Sequence, residues 1–241
     1  MKLSTKALRP LLTLSASVFA LVTLFLMANK GFGKISMAAL TLLFVWAPFV
    51  LEKLLKKTLP LPLYLFCLFY ALGPMLGKCY LFYHTVPHWD KLLHFSGGLV
   101  FALLGYLAVG STKQKPSPVI CAAFALFFSV SVSVFWEFGE FFSDVLFGTD
   151  SQMDTLIHSI HSTYLGSGIG NVGKLSNITS LSVNGAPLPI TGYLDIGLFD
   201  TMADMLYESA GAVLAALGLF CSDCRKKRKQ KKGTEMPKGD L

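Results

Sequence analysis

Acidic side chains recur at helical spacing in an otherwise apolar stretch of the chain. Glu137, Glu140 and Asp144 are separated by three and four residues, which places them on one face of a helix. An ionisable group at membrane depth is costly and is usually paired or functional. This stripe therefore predicts a counter-charge, a bound proton or a bound metal ion.

A second acidic stripe and a histidine accompany the first. Asp200, Asp204 and Glu208 follow one another at intervals of four residues, and Asp90 and His94 are one helical turn apart in "DKLLH". Carboxylates with one imidazole suit Mn, Fe, Zn or Mg better than a metal that prefers thiolates. The residue types predict a divalent metal site or a proton-sharing group.

The elements that must position these residues are membrane helices. Apolar residues make up 53% of the 241 residues and charged residues 15%, which is typical of a polytopic membrane protein and excludes an ordinary soluble domain. Windows of about 20 apolar residues span a bilayer. We expect an all-α membrane protein, a six-helix bundle with spans at 11–28, 35–51, 61–82, 92–110, 118–143 and 199–220.

The distribution of Lys and Arg predicts the orientation. With a cytoplasmic N-terminus, most of the 21 basic residues fall on the inside, including those of the basic tail 221–241. We therefore expect a multi-pass protein of the plasma membrane with both termini in the cytoplasm. The starts of spans four and six and the end of span five meet at the extracytoplasmic side, which brings their acids and His94 to one leaflet.

A plain explanation competes with a shared site for some of these acids. Asp144, Asp150 and Asp195 are best explained as solvated carboxylates at the membrane surface. Asp200 and Asp204 also fit favourable charges in the first turns of a helix. Glu137, Glu140 and Glu208 are flanked by apolar residues, so for these acids with His94 we favour a joint site.

The long extracytoplasmic segment 148–198 has the length of a functional loop or lid. Its first half, "DSQMDTLIHSIHSTYL", has helical spacing and predicts a short surface helix that directs His158 toward the acids, while His161 is expected to be simply exposed. Its second half predicts a β-hairpin at Asn184-Gly185, because this dipeptide is the strongest short turn signal.

The sequence predicts no chemistry for the cysteines or the basic tail. Cys67, Cys79 and Cys121 fall in apolar spans, and the "CSDC" pair, Cys221 and Cys224, follows the last span and is expected to be reduced. The tail sequence "RKKRKQKK" lies beside a membrane helix, so its expected partners are the lipid bilayer and anionic lipid headgroups, with no nucleic acid.

Four motifs in order carry a family resemblance. These are "DKLLH" (90–94), "WEFGE" (136–140), "GTDSQMDT" (148–155) and "DTMADM" (200–205). The ordered set resembles the YjdF-type family of bacterial integral membrane proteins, whose biochemical role is undefined, and is more distantly similar to VanZ-like proteins. Position by position, the resemblance implicates Asp90, His94, Glu137, Glu140, Asp154, Asp200 and Asp204. Glu140 and Asp204 are acids where the VanZ-like pattern tends to have an amide.

Three functions fit these observations. The first is a metal-dependent hydrolase or transferase acting on a lipid-linked or cell-envelope substrate, with His94, Glu137, Glu140, Asp200 and Asp204 as metal ligands. His94, Asp90 and Asp154 are its candidate catalytic residues, with Asp90 orienting the His94 ring. The second is a cation or proton transporter, in which Glu208 extends the acids toward the bilayer centre. The third is a non-catalytic envelope or assembly factor.

Overall fold

Six helical segments are long and apolar enough to cross a membrane, which confirms the predicted number of spans. They lie in a computed structural model that describes residues 5–110, 112 and 116–234. The helices are α1 (Thr5–Leu26), α2 (Phe32–Phe44), α3 (Ala47–Leu55), α4 (Leu61–Cys79), α5 (Phe82–Thr85), α6 (Trp89–Val109), α7 (Pro118–Phe147) and α8 (Leu198–Thr234).

Two of the spans differ from the predicted intervals for local reasons. The second span consists of α2 and α3, because Pro48 lacks the N–H that would continue the helix from α2. The last helix does not end at residue 220. It continues through Cys221 and Cys224 to Thr234, so the described part of the basic tail is helical, and residues 235–241 lie outside the described residues.

The described chain divides into two compact units. The first comprises the residues up to Gly139 and those from Asp204 onward, and the second comprises Glu140–Ala203. In the first unit, α1, α4 and α6 share a core around Tyr64, Leu68 and Val100, to which Val45 is added from the junction of α2 and α3. Many large apolar side chains of the spans are exposed, as expected for helices that face lipid tails.

Helices α6 and α8 approach each other closely through two glycines. A Cβ atom added at Gly98 would lie 2.0 Å from the carbonyl oxygen of Glu208, and one added at Gly211 would lie 2.1 Å from that of Phe95. Both contacts are with backbone, which cannot rotate away as a side chain can. Small residues are what allow helix backbones to pack this tightly in a membrane.

Helix α7 joins the same contact. The Ser129 hydroxyl donates a hydrogen bond of 3.2 Å to the Gly98 carbonyl, and Ala102, Ala125 and Ala212 form a buried cluster contributed by α6, α7 and α8. Gly98 is therefore a position in the first unit at which all three helices touch.

The second unit contains short antiparallel strand pairs. Strand β1 (Thr155–Ile157) pairs with β6 (Tyr193–Asp195), β2 (Ser159–Ser162) with β3 (Gly173–Ser176), and β4 (Ser182–Val183) with β5 (Ala186–Pro187). The last pair is the predicted hairpin. Its turn residues Asn184 and Gly185 both have positive φ, 51° and 79°, as a two-residue hairpin of this type requires.

The placement of the short helix in this unit needs correction. The segment expected to be helical from its spacing forms β1 and β2, and the helix that follows is a three-residue 3-10 turn at Thr163–Leu165. The strands pair with residues near 175 and 194, so contacts distant in sequence override the local periodicity. Asp154 and His158 consequently do not lie one helical turn apart.

The close contact at Gly98 predicts that a larger residue there lowers the stability of the protein. Gly98→Ala forces α6 and α8 apart, and overpacking of this kind costs about 1–3 kcal/mol. Gly218→Ala is the matched control, because a Cβ at Gly218 in α8 meets nothing within 4 Å. Thermal unfolding of the purified protein in detergent should show a lower midpoint for Gly98→Ala and an unchanged or higher one for Gly218→Ala. Equal midpoints for the two variants would contradict the packing described here.

Candidate metal centre

The first turns of α6 carry three ionisable side chains. The residue before this helix, His88, has φ 57°, and α6 then presents Asp90, Lys91 and His94. Trp89 fixes the start of the helix, since its indole N–H donates a hydrogen bond of 3.1 Å to the Gly73 carbonyl of α4. Asp90 and His94 lie on the same face because they are one turn apart.

Lys91 bridges two carboxylates. Its Nζ atom lies 3.0 Å from Asp90 Oδ2 and 2.6 Å from Asp204 Oδ1 on α8. Asp204 is 1% exposed, so this ion pair lies at the edge of the protein interior. Removing one member of such a pair would leave the other charge buried, which is strongly destabilising unless another cation replaces it.

The His94 ring lies between two pairs of carboxylates. Its Nε2 atom is 3.6 Å from Asp90 Oδ1 and 3.7 Å from Asp204 Oδ2. Its Nδ1 atom is 3.9 Å from Glu137 Oε1 on α7 and 3.8 Å from Glu208 Oε2 on α8. These four separations are longer than a hydrogen bond but short enough for strong electrostatic coupling.

The cluster carries an excess of negative charge. Four carboxylates face one ammonium group and one imidazole, and His94, Glu137, Asp204 and Glu208 are each at most 5% exposed. Burial makes unbalanced charge expensive, so bound protons or a bound cation must offset part of it.

Three side chains of the cluster have the geometry of a metal site. One ligand atom from each of Asp90, His94 and Asp204 can be chosen so that all lie within 4.8 Å of one another. Ligand atoms of a single metal ion lie about 3 Å apart for bonds of about 2.1 Å. A modest contraction of the three side chains would therefore complete the site. Two carboxylates and one imidazole form a set that first-row divalent metals accept.

Two buried polar groups of α7 and α8 lack a hydrogen-bond partner within the described part of the chain. Among the described residues, Glu208 Oε1 and Ser133 Oγ are buried without a hydrogen-bond partner. Ser133 lies one turn before Glu137 on the buried face of α7, and Ser129 lies one turn before Ser133. A line of buried polar groups thus follows α7 away from the histidine.

Four of the residues singled out from the sequence are brought together by the structure, namely Asp90, His94, Glu137 and Asp204. Lys91 and Glu208, which stood outside the predicted ligand set, are also members. The signal for Lys91 was its place between Asp90 and His94 as the basic residue nearest the acids. The signal for Glu208 was its position one turn after Asp204 in an apolar sequence.

Glu140, Asp154 and Asp200 belong to the second unit, and their predicted roles in chemistry stay predictions. Asp154 is surrounded by acids: partial desolvation, together with the charges of Asp150, Asp144 and Asp195, raises the pKa of its carboxyl group. Protons therefore bind Asp154 more readily than they bind an isolated aspartate.

Asp144, His158 and His161 of the second unit have local roles. Asp144 accepts backbone N–H groups from Ser151 and Gln152 at 2.7 and 2.9 Å, and so fixes the turn after α7. His158 Nδ1 lies 3.0 Å from the Ile178 carbonyl, and His161 is exposed opposite Lys174 in the β2–β3 pair.

Comparison with known proteins places the chain in a family. The pattern of the family described as "Predicted membrane protein (DUF2238)" matches residues 11–224, which include four of the six spans in full, most of the first and the last, and every member of the cluster. Neither a curated protein nor a solved structure matches the chain. The match confirms the resemblance to YjdF-type proteins, and nothing supports the more distant similarity to VanZ-like proteins. The chain therefore belongs to the DUF2238 family of multi-pass membrane proteins.

Proposed function

We propose that this membrane protein binds a divalent metal ion at Asp90, His94 and Asp204 and uses it to hydrolyse or transfer a group of a lipid-linked or cell-envelope substrate. The observation that carries the proposal is the convergence of three ligand atoms from α6 and α8 within 4.8 Å. A bound divalent ion lowers the pKa of its water ligand and polarises a carbonyl or phosphoryl oxygen.

The two ring nitrogens of His94 divide the cluster into a metal side and an orienting side. Nε2 faces Asp90 and Asp204, so it would bind the ion with them, while Nδ1–H would point toward Glu137 and Glu208. A carboxylate behind a metal-bound histidine fixes its tautomer and makes it a better ligand. Glu137, predicted as a ligand, has this orienting role in the proposal, and Glu208 shares it.

The proposed orientation follows the distribution of basic residues. Both termini lie in the cytoplasm and the cluster lies near the opposite face of the plasma membrane, where envelope substrates are found. Anionic lipid headgroups on the cytoplasmic side would then contact the basic end of α8.

Metal binding by the purified protein gives the first test. We expect one Mn²⁺ or Zn²⁺ per chain after dialysis, and Asp204→Asn should weaken binding at least about tenfold, since even outer-shell changes cost about 10–100-fold. Asp150→Asn, the same substitution at an exposed acid of the second unit, should leave it unchanged. Wild-type protein that retains no metal by inductively coupled plasma analysis would contradict the proposal.

Substitution of Lys91 should strengthen metal binding, whereas substitution of Asp204 should weaken it. Its ammonium group holds the same two aspartates that the ion would use, so binding requires Lys91 to be displaced. Lys91→Gln should therefore tighten metal binding by about 10–100-fold, because the ion no longer has to replace a charged hydrogen bond between Lys91 and the aspartates. Lys91→Arg retains the competing charge and should not tighten binding. A Lys91→Gln variant that binds metal more weakly than wild type would show that the lysine supports the site.

Catalysis itself requires a product. Metal-loaded protein incubated with extracted envelope lipids should convert a lipid-linked species that mass spectrometry detects, and Asp204→Asn should lose at least about 99% of this conversion, as expected when metal activation of water is lost. Unchanged lipids, with metal bound stoichiometrically, would exclude the enzymatic role and leave a metal-dependent scaffold or transporter.

Transport of a cation or proton is the second candidate, favoured by the buried polar groups beyond His94. Glu208 Oε1 and Ser133 Oγ lie in the interior of the first unit, where a permeating ion would find oxygen ligands. Proteoliposomes should then take up Mn²⁺ or acidify on an imposed gradient, and Glu208→Gln should abolish the flux. Tight vesicles without flux, at ion concentrations that saturate binding, would exclude it.

A further inference from the structure

A pocket lined by lysines lies far along the chain from the acidic cluster, at the turn between α3 and α4. It has a volume of about 250 Å³ and is lined by Phe49, Glu52, Lys53, Lys56, Lys57 and Thr58. We propose that this pocket binds the phosphate headgroup of an anionic phospholipid. The proposal is independent of the metal centre and of the proposed reaction.

The acid in this pocket is already neutralised. Glu52 Oε1 lies 3.0 Å from Arg9 Nη1 of α1 and accepts a hydrogen bond of 2.9 Å from the Leu59 backbone N–H. None of the three lysines forms a salt bridge with a described residue, and all three side chains are exposed. The pocket therefore presents three ammonium groups without a counter-charge.

The loop that carries these lysines has a fixed conformation. Arg9 Nη2 donates a hydrogen bond of 2.6 Å to the Leu59 carbonyl, and its guanidinium lies 5.6 Å from the centre of the Tyr64 ring. Lys56 ends α3 with a left-handed φ of 50°, and the N–H group of Lys57 returns to the Glu52 carbonyl at 3.2 Å. A pocket held in place before binding loses less entropy when a ligand binds.

The surroundings favour a lipid over a soluble anion. The pocket lies at the end of a candidate membrane span, Phe32–Leu55, which is the depth of lipid headgroups. Leu54 is 72% exposed beside it, and Lys53 Nζ lies 4.6 Å from the centre of the Phe49 ring, so apolar surface adjoins the positive charge. A phospholipid matches this surface, because its phosphate would pair with the lysines and its acyl chains would contact the apolar side chains. Thr58 would supply a hydroxyl group for a phosphate oxygen. Basic pockets at the ends of membrane helices bind such headgroups.

The experiment compares two charge-matched variants of the full chain. Lys53→Gln/Lys56→Gln/Lys57→Gln removes the lysines of the pocket, and Lys226→Gln/Lys227→Gln/Lys229→Gln removes the same charge from the basic end of α8. Each protein is placed in nanodiscs of phosphatidylcholine with a small share of phosphatidylglycerol. Native mass spectrometry then counts the phosphatidylglycerol molecules retained. Thermal unfolding checks that each variant is folded, and Lys57→Gln alone replaces the triple variant if that does not fold.

We expect the pocket variant to lose phosphatidylglycerol affinity by about fivefold for each lysine removed, with a much smaller loss for the α8 variant. Equal losses in the two variants would show general charge attraction and overturn the proposal. Retention by the pocket variant at the wild-type level would overturn it as well. If inorganic phosphate at the same concentration displaces the lipid completely, the pocket recognises a free anion and the lipid assignment fails.

Discussion

The contact of α6 with α8 at Gly98 is the constraint on which the site depends. Because Gly98 has no side chain, the α8 backbone at Glu208 packs directly on α6, one turn after His94. Asp204 lies one turn before Glu208, and the histidine therefore has a carboxylate of α8 near each of its ring nitrogens. Ser129 of α7 bonds to the same glycine, and two turns further along α7 its Glu137 completes the ring of acids. A single close approach thus determines the positions of side chains from three helices.

The consequence of this packing is electrostatic. The packing holds four carboxylates together where water has little access, whereas at a solvated surface their charges would cost little. The single ammonium group of Lys91 cannot balance four negative charges. Bound protons or a bound cation must therefore offset part of this negative charge. The excess of carboxylates distinguishes the cluster from the Arg9–Glu52 pair at the α3–α4 turn, in which one guanidinium faces one carboxylate.

The sequence predicts much of the bundle because apolar length alone identifies a membrane helix. It also predicts that Asp90, His94, Glu137 and Asp204 share a location, since acids at membrane depth on successive spans need common partners. Helical spacing cannot say how close two stripes come to each other, however, because the distances of Asp204 and Glu208 from His94 depend on how α8 packs against α6. Strand pairing at 155–162 was missed because its partners near 175 and 194 are distant in sequence.

The most direct measurement of the central claim is pulsed electron paramagnetic resonance on protein loaded with one equivalent of Mn²⁺. Bound Mn²⁺ should show coupling to one histidine nitrogen, which ¹⁵N-histidine labelling identifies and His94→Gln removes, although four other histidines remain in the chain. A spectrum with oxygen ligands and water alone, or the same nitrogen coupling in the His94→Gln protein, would contradict the assignment of a metal site to this cluster.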